Sequence, residues 1–587
     1  MDNGDLLSQK ASRRPAHIVP ARPRRSVQVR FADGRIFEGP VGAPLGDFID
    51  VAYPGADPPI VAAVVDGELR ELSYRVQRDV AAVPIDTLST DGLRIYQRSM
   101  SFVLIVAVHE LFPQARIVID HSVTLGGFFC QVVGRQLFSD QEIRDLLRRM
   151  QEIVAADEVI LKERIPTREA IALFASQGYE DKVRLLAYRD EETIPVYSLR
   201  GVRDYFYGYM LPSTGKLRGF DLERYPPGLI LRFTKPHHRF PLQSHRDYPK
   251  LMGVFREYGE WLNILGIEDV GSLNQFIESG RIREAVLVSE ALHEKQIADI
   301  ADDIRQRRDQ IRIVLIAGPS SSGKTTFSRR LAVQLMVNGL TPFALGLDDY
   351  FVDRELTPRD ENGQYDFESL KALDVERFNR DLVTLMRGEP VVLPRFDFEQ
   401  GKSLRGPRVQ LPKDTILLVE GIHGLNPALV PDIPAERIYR VYVSALTQLN
   451  IDHHNRIPTT DTRLLRRIVR DARYRGYTAQ ETIARWGSVR QGEELNIFPF
   501  QENADWMFNS ALVYELSVLK PFAEPLLLSV EQGTAESLEA RRLLAFLRWF
   551  RPCDAELVPD NSILREFIGG SIFRELKIRG RGIREGA

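Results

Sequence analysis

The chain has 587 residues, with 78 Lys and Arg against 81 Asp and Glu for a formal charge of −3; that length predicts three or four domains, and the balanced charge carries no global nucleic-acid signature. Its 2 cysteines, Cys130 and Cys553, form no CxxC pair, which argues against a thiolate zinc site and fits a reducing compartment. No apolar run reaches the length of a membrane span, and a start carrying Asp2 and Asp5 without an apolar stretch does not read as a secretory signal.

Residues 1–25 are polar and rich in arginine (Arg13, Arg14, Arg22, Arg24, Arg25). This is the composition of a disordered basic tail, either simply solvated or touching RNA or another anion. Short strands follow. Val27, Val29 and Phe31 alternate with polar residues, Asp33 and Gly34 supply a turn, and Arg35, Ile36 and Phe37 return, so 26–85 reads as a small β-rich module. Residues 86–240 mix helices and strands, with helical periodicity from Ile95 to Leu111. A helical connector spans 241–300, where Phe255, Trp261, Leu262 and Leu265 recur at helical spacing.

Within 301–525 strands and helices alternate. Residues 311–317 form an apolar strand pattern and 326–335 a helix pattern. Between them Gly318-Pro319-Ser320-Ser321-Ser322-Gly323-Lys324-Thr325 fits G-x-x-x-x-G-K-[ST]. Strand, glycine-rich loop and helix start let backbone N–H groups converge on a phosphate, and the helix dipole adds partial positive charge there. The expected phosphate contacts are Gly318, Ser320, Ser321, Ser322, Gly323, Lys324, Thr325 and Thr326. Further strands at 340–346, 415–420 and 437–443, with a helix at 374–387, place Asp348, Asp349 and Glu420 at strand ends. Acids at the carboxyl edge of parallel strands predict a doubly wound α/β domain. Residues 526–587 read as a C-terminal helical extension (Leu543, Leu544, Phe546, Leu547, Trp549 and Phe550 apolar), a turn at Pro559 to Ser562 and a basic tail.

Phosphoryl transfer needs a cradle, a metal, a positioned hydroxyl and positive charge on the group in flight. Lys324 would reach the β- and γ-phosphates. Thr325 and Glu420 would hold Mg²⁺ with help from Asp349, and Asp348 would take the acceptor's hydroxyl proton. Arg463, Arg466, Arg467 and Arg470 share helical i,i+3 and i,i+4 spacings, and with Arg473 and Arg475 they read as a closing lid that clamps phosphates. Each signal has a plainer reading: paired acids make turns, a strand-end acid can be surface, and a row of arginines can be a solvated or nucleic-acid-binding face.

The P-loop, Leu347-Asp348-Asp349-Tyr350-Phe351, Tyr365-Asp366-Phe367-Glu368, Phe396-Asp397-Phe398, Val419-Glu420-Gly421-Ile422 and Arg466-Arg467-Ile468-Val469-Arg470-Asp471 with Arg475-Gly476 resemble the uridine kinase/phosphoribulokinase family in matching order. The resemblance implies ATP–Mg²⁺ phosphorylation of a sugar hydroxyl. It makes Asp348 the base, gives Asp366 the ribose hydroxyls, puts Tyr350, Phe396 and Asp397 at the substrate, and assigns Arg467, Arg470 and Arg475 to the lid and phosphates. Phe396 and Gly401 stand where uridine kinases carry Tyr and His, so two polar readers of the base are missing and base discrimination weakens.

The front half resembles threonyl-tRNA synthetase: 26–85 its TGS domain, and 86–240 its editing domain, through Glu110-Leu111-Phe112-Pro113 and Pro212-Ser213-Thr214-Gly215-Lys216. The family's H-x-x-x-H and C-x-x-x-H pairs fall on Arg98, Phe102, Phe206 and Met210, none of them suited to a metal or a general base. This implies no zinc and no hydrolysis of mischarged tRNA, with His109 and His121 structural and Cys130 a small buried residue.

The sequence thus predicts a multidomain α/β protein: a β-rich TGS module, an α+β editing-like domain and a doubly wound P-loop kinase domain on a parallel sheet. By resemblance it is expected in the cytoplasm as a nucleoside kinase-like phosphotransferase acting on ATP and a ribose-bearing small molecule, uridine- or cytidine-like, with no membrane partner and room for a homo-oligomer. The alternative is an ATP-regulated protein binding RNA or tRNA through its N-terminal half.

Overall fold

A computed structural model describes residues 23–123, 126–233, 248–359, 363, 365–574, 576 and 584–586. Most of the predicted basic tails, 1–22 and 577–583, lie outside these residues. The first unit is a five-stranded sheet in the order Ile36–Pro40, Ser26–Phe31, Val80–Asp86, Ile60–Val65, Glu68–Glu71. The predicted hairpin forms, with Gly34 at φ 86° in its turn, a left-handed backbone that glycine adopts without cost. Val27, Val29 and Phe31 pack on Phe48 and Ile49 of the Leu45–Ala52 helix.

The second unit centres on the helix Thr90–Leu111, whose residues 99–108 are all buried. A helix apolar on every side belongs inside a core. It packs on a four-stranded antiparallel sheet, Phe220–Tyr225, Gly228–Phe233, Gly127–Val133 and Arg116–Ser122, and on Val61 and Ala62 of the first sheet. Helices Pro249–Leu265 and Val270–Glu278 then lead into the C-terminal half.

That half is built on five parallel strands in the order β2, β5, β1, β6, β7. These are β1 (Ile313–Ala317), β2 (Pro342–Gly346), β5 (Ile416–Glu420), β6 (Ile438–Ser444) and β7 (Trp506–Asn509), with β3 (Val391–Asp397) and β4 (Lys402–Gln410) forming a separate hairpin. Besides the short helix Ala479–Ala484, the helices are α1 (Ile282–Gln306), α2 (Lys324–Val337), α3 (Val375–Met386), α4 (Thr459–Tyr474), α5 (Trp486–Asn496), α6 (Glu515–Leu528), α7 (Ala535–Leu547) and α8 (Arg565–Ile568). Along β1, Val314 and Ile316 join the core shared with α1, α2, α4 and α6, while Ile313 and Leu315 join the opposite core with α3 and the hairpin. Burial on both faces explains why β1 and β5 are continuous apolar runs without alternation.

The divisions expected at 300/301 and 525/526 fall inside α1 and α6. The same core takes in Phe174 and Leu185 of the second unit and Leu543, Phe546, Ile563 and Phe567 near the C-terminus. Beyond 526, the stretch from Ile563 to Phe573 reaches the P-loop and its helix, through Glu566 on Thr326 and the Phe573 carbonyl on Arg329. No helix among the described residues is long and apolar enough to cross a membrane.

Candidate active site

β1 delivers the chain to Gly318, where a Cβ would stand 1.9 Å from the Val443 carbonyl oxygen, so only glycine fits. Ser321 (φ 58°) and Gly323 (φ 87°) turn the loop through the left-handed region, and Lys324 opens α2. The loop's carbonyls are held from outside. Arg463 Nε donates to the Ser320 carbonyl (2.9 Å), Arg466 Nη1 to that of Ser321 (3.4 Å), and the Ser510 hydroxyl to that of Ser322.

Two amides of the loop and helix start meet carboxylates of the chain itself. Ser320 N–H donates to Glu493 Oε1 (2.9 Å), while the Thr326 N–H (3.0 Å) and hydroxyl (2.9 Å) both donate to Glu566 Oε2 of α8. The cradle accordingly holds anionic oxygens where its geometry and the α2 dipole favour them.

Around the cradle the predicted residues converge. Lys324 Nζ donates to the carbonyls of Gly318 (3.0 Å) and Pro319 (3.2 Å). Burial lowers its pKa, while Glu420, Glu566 and Asp348 raise it and Arg470 lowers it further. The Thr325 hydroxyl donates to Glu420 Oε1 at 2.6 Å. Burial pushes Glu420 up to about 7 against the pull of Lys324 and Thr325. Asp348 sits in the short 3₁₀ turn Leu347–Tyr350 at the end of β2. The residue is exposed, yet the protein around its carboxylate raises its pKa, and Lys324 and Arg475 lower it.

Arg467 Nη1 donates to the Ser320 hydroxyl at 2.8 Å. Buried Asp471 gathers three arginines: Arg470 (2.8 Å), Arg467 (3.2 Å) and Arg475 (3.7 Å). Burial and neighbouring Glu493 raise Glu368 to about 7, and Arg467 opposes them.

Other expected residues point elsewhere. Tyr350 is buried, its ring 5.0 Å from Phe378 and its hydroxyl 3.3 Å from Asp381, so it belongs to the core rather than to a substrate pocket. Asp349 accepts from the Phe396 amide (3.4 Å). Asp397 caps its own hairpin turn by accepting from the Glu399 and Gln400 amides (3.0 and 2.9 Å). Arg463 and Arg466 do not join a phosphate clamp: they are buried, paired with Glu493 and Glu515, and buttress the loop. Phe396 lies in an aromatic cluster with Phe351 (5.5 Å) and Phe398 (5.0 Å). Asp366 accepts from the Glu368 amide at 3.1 Å. Glu493, Glu566 and the gathering role of Asp471 were missed. Only Asp471 carried a signal, its helical spacing from Arg467 and Arg475.

In the front half, Phe102 and Phe206 are buried edge to face at 5.1 Å, Met210 is buried, and Arg98 donates to the Tyr209 carbonyl. His121 stacks on Phe255 at 3.7 Å, and Cys130 is buried. Among the described residues no group of three or more His, Cys, Asp or Glu is placed to hold a metal ion.

Residues 313–517 match the model of the Phosphoribulokinase / Uridine kinase family. The match takes in about a third of the chain. In the other half, the chain is 29% identical over 197 residues to the threonine–tRNA ligase of Pelobacter propionicus, covering 34% of this chain and 31% of the ligase. The chain thus spans about a third of the length of the curated relatives it matches. Among solved structures, D-glycerate 3-kinase from Cryptococcus neoformans aligns with a TM-score of 0.26 at 16% identity over 36% of this chain and 92% of that one. A possible uridine kinase from Bacillus stearothermophilus aligns at 0.23 and 19% identity over 35% and 99%. The matched region includes the cradle, Asp348, Glu420 and all of α4, whereas Glu566 lies beyond it.

Proposed function

We propose that this protein transfers the γ-phosphoryl group of ATP to a hydroxyl of a nucleoside-like, ribose-bearing small molecule. The observation that carries this reading is the P-loop cradle with Lys324 folded over it and the Thr325–Glu420 pair at 2.6 Å beside it, with Lys324 and Arg475 acting on Asp348. Asp348 takes the proton of the acceptor hydroxyl as its oxygen bonds to the γ-phosphorus. The bond from that phosphorus to the bridging oxygen breaks, and ADP carries the released charge. Lys324 exchanges the Gly318 and Pro319 carbonyls for phosphate oxygens. Arg467, Arg470 and Arg475, collected on Asp471, supply positive charge around the group in flight. Thr325 and Glu420 are the oxygen donors that suit Mg²⁺, which when bound neutralises phosphate charge. Asp366 is the candidate for the ribose diol.

Incubating the protein with γ-labelled ATP and a panel of nucleosides and sugars tests the proposal. Label should appear in an acceptor with wild type and vanish with Asp348→Asn. Label in no acceptor would refute it.

A second reading rests on the threonine–tRNA ligase similarity: the front half binds RNA by shape, and nucleotide in the cradle regulates the binding. RNA affinity that falls steeply with salt and responds to ATP would support it. Absence of binding at low salt would remove it.

A further inference from the structure

A cavity of about 500 Å³ lies where the three parts of the chain meet, lined by the Glu68–Arg70 strand, the Thr90–Leu111 helix, residues 451–461 leading into α4, and α7. It is separate from the cleft: of the residues around the cradle, none lines it. Its walls are largely apolar, with Ile95, Ile119, Phe128 and Phe546 among them, yet six arginines face it against three acids.

Four of those arginines are neutralised. Arg70 and Arg541 pair with Glu68, Arg94 with Asp91 and Glu539 (both 3.0 Å), and Arg542 with Asp461 and Glu539 (both 2.7 Å). The other two, Arg98 and Arg456, have no carboxylate within ion-pair distance among the described residues. Arg98 donates to the Tyr209 carbonyl and lies so close over Gly208 that a Cβ there would be 2.8 Å from its Cζ. Arg456 makes one long bond, to the Ile457 carbonyl at 3.5 Å. Its Nε is buried without a partner, and its guanidinium sits 4.9 Å from the Phe128 ring.

A guanidinium remains charged in a protein, and a charge drawn out of water demands a counter-charge. Burial lowers the pKa of both groups, that of Arg456 to about 10 even with Asp461 and Asp120 attracting it from beyond pairing distance. Two uncompensated cations on an apolar chamber define the missing partner by its chemistry. We propose that this cavity is a binding site for a small organic anion, a carboxylate or phosphate ester on a compact apolar body, whose negative charge offsets the unpaired guanidiniums of Arg98 and Arg456. The aromatic and aliphatic walls take the body, and a neutral analogue of the same shape lacks the decisive contact.

The full-length protein is titrated by calorimetry and thermal shift with benzoate, phenyl phosphate and inorganic phosphate, and with neutral benzyl alcohol, at constant ionic strength. Lys324→Ala serves as the background that disables the P-loop. Benzoate or phenyl phosphate should bind saturably and raise the melting temperature in that background, identifying carboxylate or phosphate ester as the preferred head. Benzyl alcohol should not bind. Arg98→Met and Arg456→Met should each weaken binding about tenfold or more, the equivalent of about 1.4 kcal/mol. Since each removes a half-buried charge that has no carboxylate partner, each should also leave the ligand-free protein no less stable. If a methionine variant does not fold, the comparison of benzoate with benzyl alcohol decides alone. Equal binding of the two, no saturable binding of any anionic probe, or binding of inorganic phosphate alone that disappears in Lys324→Ala would overturn the proposal.

Discussion

Glu566 gives the sharpest test of how the cradle is used. Its Oε2 accepts from both the N–H and the hydroxyl of Thr326 at 3.0 and 2.9 Å. This places a negative charge at the N-terminus of α2, where a phosphate of ATP would have to enter. A hydrogen bond to a charged group is worth about 1.5–3 kcal/mol, and a carboxylate at a helix N-terminus gains roughly 0.3–1 kcal/mol more at a solvent-accessible site. Nucleotide must replace both bonds, so wild-type affinity is discounted by what Glu566 gains there. Glu566→Gln keeps an acceptor oxygen and removes the charge. A loss of about 1.4 kcal/mol for the competitor corresponds to about tenfold tighter ATP. The same substitution loosens α8 from α2 and should lower stability by roughly 1 kcal/mol. Tighter nucleotide and a less stable protein from one change is a pattern that a merely structural glutamate would not produce. Calorimetric titration of ATP without magnesium into wild type, Glu566→Gln and Glu566→Ala, alongside urea unfolding, measures both. Unchanged or weaker ATP binding in both variants would show that this carboxylate does not contest the phosphate position.

Asp348→Asn should reduce phosphoryl transfer by about 10²–10⁴-fold while ATP binding survives, since proton transfer is lost and the cradle is untouched; single-turnover assays with titration of ATP separate the two. Arg466→Leu strands the buried Glu515 carboxylate and frees the Ser321 and Ser510 carbonyls, so urea unfolding should show a loss of about 3–5 kcal/mol. Glu368 and Glu420 titrate near 7 in the folded chain against 4.5 as the ordinary value. Between those limits the folded state binds more protons, so the stability of the nucleotide-free protein should fall as pH rises from 4.5 towards 7 and level off above it. Thermal scans across that window should show a smaller fall in Glu368→Gln, and an unchanged fall would refute the assignment to Glu368.

Local features around the P-loop could be read from the sequence because strand, loop and helix are contiguous and each position has its own steric demand. Gly318 must be glycine because of Val443, yet the pattern alone announces it. The parallel sheet was legible for a similar reason, since burial on both faces leaves uninterrupted apolar runs. What could not be read were contacts between distant segments. Glu566 reaches Thr326 across 240 positions and Glu493 reaches Ser320 across 173, and no periodicity links them. Arg463 and Arg466 were misassigned because helical spacing reveals a shared face without revealing whether that face meets solvent or acids on α5 and α6. Tyr350 and Asp397 failed differently: a motif position does not state which way a side chain leaves a tight turn.

The arginine helix α4 connects the anion cavity with the cleft, and its packing limits how one can influence the other. Asp461 in its first turn is held by Arg542 (2.7 Å) on the cavity side, and Asp471 in its last turn collects the cleft arginines. Ten residues separate them, about 15 Å of helix. Between them Arg463 and Arg466 are locked to Glu493 and Glu515 beneath the P-loop. Rotating the helix would break both buried pairs, at about 3–5 kcal/mol each. A ligand can shift an equilibrium only by its difference in affinity for the two states, and the usual coupling between sites is about 1–3 kcal/mol. Rotation of α4 is therefore too costly to carry a signal. Any linkage must leave both pairs intact and act through the last turn, where Arg470 and Arg475 share a single carboxylate and can exchange it for phosphate without exposing an unpaired charge in the core.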